Sequence, residues 1–451
     1  MPYSQLAPNA IATASDSKVC IIIGHSIDAI TTAVVLASLN QRVHLFAKLS
    51  ELHKTLGQYS FEHHLQALWQ LYSSQNQLEC FELPNEATDI IDHYQLANSA
   101  VQGQSVELYW LFLNSIQPHW SDDTWITAFN HSQQQSSPII LSGTAKIGQV
   151  SAFAEKLLRA WVFYVPFVFL QDGAAFSSML TPMLWLLGEK TPNSSGRLNV
   201  LRPLMQQAKA YHHADIATIE FARSSIMAML ATRVSFMNEM SRFADVNGVD
   251  IQKVSQIMGL DDRVGSSYLT AGWGFGGNTL PLELEALQQS SADCQIAMPL
   301  IESVIHINDD QKELIFRKFW QYFDGFIDNK TVMIWGASYK ADSGRTANSA
   351  IHPLLALLWS YNIKTRVYTD KAKGELLARY PNEPLLEIID SPYDGIQGAQ
   401  AMFLLSVSHQ EPMDIAQLNQ SGLPVFDAQN VLTGAQIDNL VGEYIGLGRS
   451  K

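Results

Sequence analysis

One pattern appears twice in this chain, near each end. Lys18–Ala47 holds an apolar run, a turn at Gly24, an amphipathic stretch and a second apolar run, which predicts a strand–turn–helix–strand unit. Thr331–Trp335, Gly336, a loop, Ala350–Ser360 and Lys364–Tyr368 repeat it. Between the two units, Ile216–Asn247 contains neither Pro nor Gly and predicts one long helix, with shorter helices following as far as Phe326. Further strand-like runs occur at Ser105–Asn114, Ser137–Ser142, Ala160–Leu170, Ala401–Val407 and Pro424–Phe426, and Val150–Arg159 reads as helix. Ser132–Ser137 reads as a short polar linker. The expected class is α/β, with two α/β domains at 17–200 and 327–451 joined by a helical domain at 201–326.

Composition narrows the function. At 451 residues, 47% hydrophobic and 16% charged, the chain has enough apolar residues for two or three cores. A net charge of −14 argues against nucleic acid or an anionic membrane as partner. Cys20, Cys80 and Cys294 are scattered, suit a reducing compartment and form no metal or redox motif, so no metal is expected. Met1–Lys18 lacks the basic start and apolar stretch of a targeting segment. The apolar run Ala160–Leu170 is too short to span a bilayer. A cytoplasmic protein is expected.

The centre of the chain is the most specific part. Leu260–Glu283 reads LDDRVGSSYLTAGWGFGGNTLPLE, and Ile219–Glu239 reads IEFARSSIMAMLATRVSFMNE. These stretches resemble the central segment of the UDP-glucose/GDP-mannose 6-dehydrogenases, the nucleotide-sugar dehydrogenases. The family patterns are D-x-R-I-G-x-x-F-L-x-P-G-x-G-Y-G-G-S-C-F-P-K-D and E-L-x-K-Y-x-x-N-x-F-L-A-T-K-I-S-F-x-N-E. Asp261, Arg263, Gly265, Leu269, Gly272, Gly274, Gly276, Gly277 and Pro281 keep the first frame without a gap. Leu230, Ala231, Thr232, Ser235, Phe236, Asn238 and Glu239 keep the second half of the other, with Arg233 for lysine.

The resemblance implies two Rossmann-like α/β domains around a dimer-forming helix. It implies an NAD-dependent double oxidation of UDP-glucose or GDP-mannose to the uronic acid, a step in polysaccharide precursor synthesis. The aldehyde would be captured by a cysteine thiolate, oxidised to a thioester and released by water. The reactive set is replaced: Thr279 stands at the cysteine position, Arg223 at the lysine, Met227 at the asparagine and Glu283 at the aspartate. A threonine hydroxyl is a poor nucleophile without a base upon it. An arginine does not surrender its proton near neutral pH, and a thioether cannot donate to an oxyanion. Substrate contacts are implied at Arg263 (which in the family reaches across the dimer), Tyr268, Gly274, Phe275, Gly276, Gly277 and Lys340. Arg263 also reads as a structural ion pair at that interface. The glycines of 272–277 suit either close backbone approach to a ligand or packing of the loop on its own helices.

The cofactor signal is thinner. A dinucleotide fingerprint G-x-G-x-x-G needs its second glycine so that backbone can approach the pyrophosphate. Here Gly24 is kept, Ser26 takes the second position and Ala29 the third, and Asp28 adds a negative charge to the first helical turn. Ala47 occupies the strand end where an acid would hold the ribose. Thr144 and Gly148 survive from S-T-V-x-P-G-T, while Asn114-Ser115 replaces a Thr-Pro pair. Around Phe167–Gly173, Asp172 keeps one acidic position of N-P-E-F-L-R-E-G, as a water-ordering group or a helix N-cap. The second α/β domain resembles the family's nucleotide-sugar domain, as the first resembles its NAD domain: Gly336–Lys340 matches G-x-x-F-K, with Lys340 as the implied phosphate contact, Ala347 in an arginine position and Gln429 in another.

Together these features describe a degenerate nucleotide-sugar dehydrogenase, a pseudoenzyme that keeps the fold and works by association or nucleotide-sugar binding. The alternative is an active NAD-dependent oxidoreductase with altered chemistry on a nucleotide sugar. The long helix is apolar on more than one side, at Phe221, Leu230, Ala231, Val234, Phe236 and Met237, which predicts burial both within the chain and against a partner. That partner is expected to be a second copy, or an active paralogue in a heterodimer.

Overall fold

The computed structural model describes residues 18–100, 105–117, 121–131, 136–408 and 413–449. The amino-terminal segment 1–17 and most of the expected linker at 132–137 lie outside the described residues.

Two sheets flank a helical centre. The first contains β1 (Val19–Ile23), β2 (Arg42–Ala47), β3 (Leu78–Glu82), β4 (Val106–Phe112), β5 (Ile139–Ser142), β6 (Val162–Tyr164), β7 (Leu184–Glu189) and β8 (Ala210–Asp215). Its order is β3-β2-β1-β4-β5-β6-β7-β8, parallel except for the β6–β7 pair. The second contains β9 (Thr331–Trp335), β10 (Lys364–Tyr368), β11 (Leu386–Ile389), β12 (Ala401–Leu404), β13 (Val425–Asp427) and β14 (Tyr444–Gly446), parallel throughout in the order β11-β10-β9-β12-β13-β14. Both contain the doubly wound 3-2-1-4-5-6 order, whose connections reverse beside the first strand. The expected α/β class with two Rossmann-like units and a long helix is what forms.

The core strands are apolar on both faces because helices cover both sides. Val19–Ile23 is buried throughout, and Cys20 lies in it, its thiol pushed up to about 12 by burial. The run at Ala160–Leu170 yields only Val162–Tyr164 as strand. Pro166 has no N–H to continue a ladder, and Phe167 and Phe169 instead enter the core from a loop, Phe169 stacking on Trp185 at 5.4 Å. The first sheet runs on past residue 200 through β8, whose AYHHAD sequence carries no apolar run to announce an edge strand.

The long helix spans Ile216–Asn247, capped by the Asp215 carboxylate on Thr218 N–H at 2.9 Å and closed by Gly248 in the left-handed region. Ala228 and Ala231 pack with Phe275, Leu284 and Ile301, while Met237 and Ala244 pack with Ile251, Leu269 and Ala271. Its other side carries Phe221, Met229, Phe236 and Phe243 exposed. The expectation of two apolar sides is met, but Met237 belongs to the inner one: it is fully buried within its own chain, and Phe236 faces outward.

Candidate active site

A cleft of about 340 Å³ opens where the carboxyl ends of β1, β4 and β5 meet the start of the long helix, the glycine loop and the loop after β9. Asp28, Asn114, Thr144, Asp172, Arg223, Thr279, Tyr339, Lys340 and Arg345 line it. Three of the four expected reactive positions converge here. Arg223 and Glu283 form a buried ion pair through Nη1 and Oε1. Arg223 Nη2 also donates to Thr144 Oγ1 at 2.8 Å, and Ser224 Oγ donates to the second Glu283 oxygen at 3.2 Å. The guanidinium is thus tied across the long helix, the helix Thr279–Asp293 and the loop after β5. Thr279 begins that second helix, is exposed on the cleft, and its hydroxyl makes no hydrogen bond among the described residues. Met227 shares the helix face of Arg223 but is buried and does not line the cleft. It fills space there.

The first βα turn is occupied by its own side chains. Ser26 caps the helix Ile27–Ser38 by accepting from Ala29 N–H at 3.3 Å, and its own N–H donates to Ser115 Oγ at 3.1 Å. Two of the donors that a phosphate would use, the N–H groups of Ser26 and Ala29, are therefore already engaged. Asp28 stands in the first helical turn, its pKa raised from 3.8 to about 6 by burial and by Asp172, with the Arg223 charge opposing. Ala47 is fully buried at the end of β2 and offers nothing to a ribose. Gly24 adopts φ +148°, and a Cβ there would approach Phe112 Cβ at 2.8 Å, so packing alone requires this glycine. Thr144 is held by Asn114, which accepts from Thr144 N–H at 2.6 Å and donates to its carbonyl at 2.8 Å. The residues present do not fit a dinucleotide pyrophosphate at this turn.

Asp172 does not cap a helix. Glu62 supplies that cap, accepting from Gly173 and Ala175 N–H groups, and Asp172 instead accepts from Tyr339 Oη at 2.9 Å. Burial raises the Asp172 pKa, with the Tyr339 hydrogen bond opposing it. This bond joins the two α/β domains across the cleft, together with Arg345 lying 4.4 Å over the Tyr59 ring.

The glycine loop is closely packed. A Cβ at Gly276 would come within 2.6 Å of the Asn348 carbonyl, and one at Gly277 within 2.9 Å of the Tyr339 ring. Gly274 meets Asn308 Oδ1 at 2.8 Å. Phe275 is buried in the helical core. Asn308 and Gln311, on the helix Pro299–Tyr322, bond the backbone of Phe275 and Gly272, and Asn238 Oδ1 accepts from Gly272 N–H at 2.9 Å. Sequence reading missed Asn308 and Gln311. Polar residues on an inward helix face were the available signal. Arg263 lies outside the cleft, exposed and chelated by Asp261. Tyr268, half-exposed at φ +60°, also lies outside it. Lys340 and Gly277 do line the cleft. Among the described residues no group of three or more His, Cys, Asp or Glu is arranged to hold a metal, and no helix is long and apolar enough to cross a membrane.

Comparison with known proteins bears on this geometry. Residues 217–310 match the model of the UDP-glucose/GDP-mannose dehydrogenase family, central domain. The chain is 30% identical to a UDP-glucose 6-dehydrogenase of Pseudomonas aeruginosa over 292 residues, 63% of this chain and 64% of that protein. It is 29% identical to UDP-glucose 6-dehydrogenase YwqF of Bacillus subtilis over 289 residues, 62% and 63% of the two chains. The matched stretches thus span just under two thirds of those relatives. A UDP-glucose dehydrogenase from Pyrobaculum islandicum superposes with a TM-score of 0.78 over 98% of this chain and all of that one, at 17% identity. A UDP-D-ManNAc dehydrogenase from Pyrococcus horikoshii superposes with a TM-score of 0.72 at 15% identity, covering 96% of this chain and 99% of that one. These two show a shared fold.

The buried pair generates a stability prediction. Glu283→Ala leaves the Arg223 guanidinium uncompensated, and the expected loss is about 3–5 kcal/mol. The double substitution Arg223→Met, Glu283→Leu removes both charges and should recover most of it. Urea denaturation of the three proteins measures this, and a Glu283→Ala chain as stable as the parent would contradict the burial.

Proposed function

We propose that this chain is a member of the UDP-glucose/GDP-mannose dehydrogenase family that has lost oxidation to the uronic acid and acts by association or by holding a nucleotide sugar. The observation that carries this reading is the Arg223–Glu283 ion pair. In the reaction implied by the family, that location supplies a lysine for proton transfer beside a thiolate. Here the cation is permanent and its partner carboxylate is consumed by it. The Thr279 hydroxyl makes no hydrogen bond to a base among the described residues. No oxidation step follows from this chain's own groups.

The reading is tested by incubating the full chain with NAD and either UDP-glucose or GDP-mannose, following absorbance of NADH and analysing products. No uronate is expected. Two NADH per sugar with uronate formed would overturn it.

Weak NAD binding goes with this proposal. Because the fold raises the Asp28 pKa, the carboxylate is charged above pH of about 6 and repels a pyrophosphate there. The same shift weakens the fold above that pH, and the deficit disappears as pH falls through the folded value towards the unfolded 3.8. NADH affinity, read by fluorescence, should therefore tighten between pH 8 and 5.5 in the parent. In Asp28→Asn it should be tighter at pH 8 and flat across that range. Submicromolar affinity in the parent at pH 8 would contradict the argument.

The exposed side of the long helix supports an association role. Met229, Phe236 and Phe243 recur at seven-residue spacing and form an apolar stripe on one side. The partner in this proposal is a second copy across a two-fold axis, or an active relative presenting the same helix. Phe236→Glu should convert a dimer to a folded monomer in light scattering with unchanged circular dichroism. A parent chain that is monomeric at micromolar concentration would refute self-association.

A further inference from the structure

The loop 336–350, between β9 and the helix Ile351–Ser360, reaches across the cleft to the first α/β domain. Tyr339 Oη donates to Asp172 Oδ2 at 2.9 Å, and the Arg345 guanidinium lies 4.4 Å over the Tyr59 ring. Gly344 meets Phe61, and the Asp342 carbonyl lies against Gly173. Behind these contacts the loop is fixed to its own side. Arg345 Nε pairs with Glu375 at 2.5 Å, Thr346 N–H donates to Glu375 at 2.7 Å, and Tyr339 N–H donates to the Arg345 carbonyl at 2.9 Å. Gly277 N–H donates to the Ala347 carbonyl at 2.8 Å, which ties the loop to the helical centre as well. The contacts free to part are those to the first domain.

We propose that this loop is a strap that holds the two walls of the cleft together, with the Tyr339–Asp172 hydrogen bond as its catch, and that it must release before a ligand reaching both walls can enter.

Three observations carry the assignment. The catch is self-contained: among the described residues Asp172 makes no ion pair and accepts no hydrogen bond besides that of Tyr339. When the walls part, water reaches the carboxylate and the hydroxyl together, so neither is left buried and unpaired. While they are joined, a hydroxyl donating to a carboxylate makes a stronger bond than two neutral groups would.

The remaining contacts are of the same separable kind. A cation over a ring and a ring against a glycine are both solvated once the walls move apart. The charges favour closure, since Asp28 and Asp172 stand on the first wall and Lys340 and Arg345 on the second.

The catch is also an addition to the frame. The fourth position of G-x-x-F-K is a phenylalanine, whose ring would pack on Gly277 as that of Tyr339 does but would offer Asp172 no donor. The ring seats the loop on the helical centre, and the oxygen adds the link to the first domain. A ligand touching both walls then binds with an affinity lowered by the fraction of molecules that are open. The strap acts in this way whether or not oxidation has been lost.

The test is a spin-label distance between the walls in the full chain. Gly57→Cys and Gly374→Cys put one label on each α/β domain, at helix positions where a Cβ meets nothing within 4 Å. Cys80→Ser and Cys294→Ser remove the accessible native thiols, and Cys20 is fully buried. Labelled chain is diluted into unlabelled chain so that distances within one copy are read. The parent should give one narrow distance. Tyr339→Phe should add a longer one, with the open population raised about tenfold, the factor that a hydrogen bond to a charged group carries. Asp172→Ala should do the same, and the double substitution should open the cleft no further than Asp172→Ala alone. Tyr322→Phe, at the end of the helix Pro299–Tyr322 and outside the cleft, should leave the distribution unchanged. Circular dichroism equal to the parent's separates opening from unfolding, and if one single variant fails that check the other decides. A parent distribution already broad overturns the proposal. So does a distribution unchanged by Tyr339→Phe, or additive effects of the two substitutions.

Discussion

The helix Ile216–Asn247 is the constraint on which the rest depends. It packs on β7 of the first sheet, on the helix Thr279–Asp293 and on the helix Pro299–Tyr322, which in turn carries the second domain. Its inward side is not uniformly apolar: Arg223, Ser235, Asn238 and Ser241 are buried along it. Each such group needs a partner, because an unsatisfied buried polar atom costs as much as a core methyl or more. Asn238 finds the backbone of Gly272, and Ser235 the carbonyl of Val304. The glycine loop is therefore bolted to the helix by polar groups, independently of any chemistry.

That arrangement explains which parts of the family frame survive. Asn238, Gly272, Gly274, Gly276 and Gly277 are held by packing and backbone hydrogen bonds, so changing any of them opens a void, a clash or an unpaired amide. Of the positions that differ, Arg223 and Thr279 line a cleft and Glu283 is buried against Arg223, where a side chain can change if its charge is balanced. Arg223 and Glu283 balance one another. A buried ion pair of this kind adds little net stability compared with an apolar pair, yet removing either half is costly.

Electrostatics also distinguish the two halves of the cleft. Asp28 and Asp172 bring negative charge to the first domain's side, and Lys340 and Arg345 bring positive charge to the second's. Arg345 is drawn partly away by Glu375 and stacks on Tyr59, and Tyr339 bonds Asp172. Phe61 packs against Gly344, where a Cβ would clash with the ring. These contacts cross from one α/β domain to the other, so widening the cleft must break them together.

Local patterning carried the architecture. The apolar runs of β1, β9 and β10 and the uninterrupted helix Ile216–Asn247 were legible because strands buried on two faces and helices without breakers have distinctive local composition. The family frame was legible because its glycines and prolines are spaced by backbone geometry. Edge strands such as β8, and the loss of strand after Pro166, were not legible, since pairing at an edge is decided by a neighbour distant in sequence. The side chains of the site were legible only as identities. That Arg223 would meet Glu283, sixty positions away, that Asp172 would bond Tyr339 and not a helix end, and that Met237 and not Phe236 would face inward all depend on how three packed elements rotate against one another. The sequence alone determined two nucleotide-type folds around a long helix without the expected reactive groups. Only the tertiary structure decided that a buried ion pair occupies their place, because contacts between residues far apart in the chain are set by packing, which no local pattern encodes.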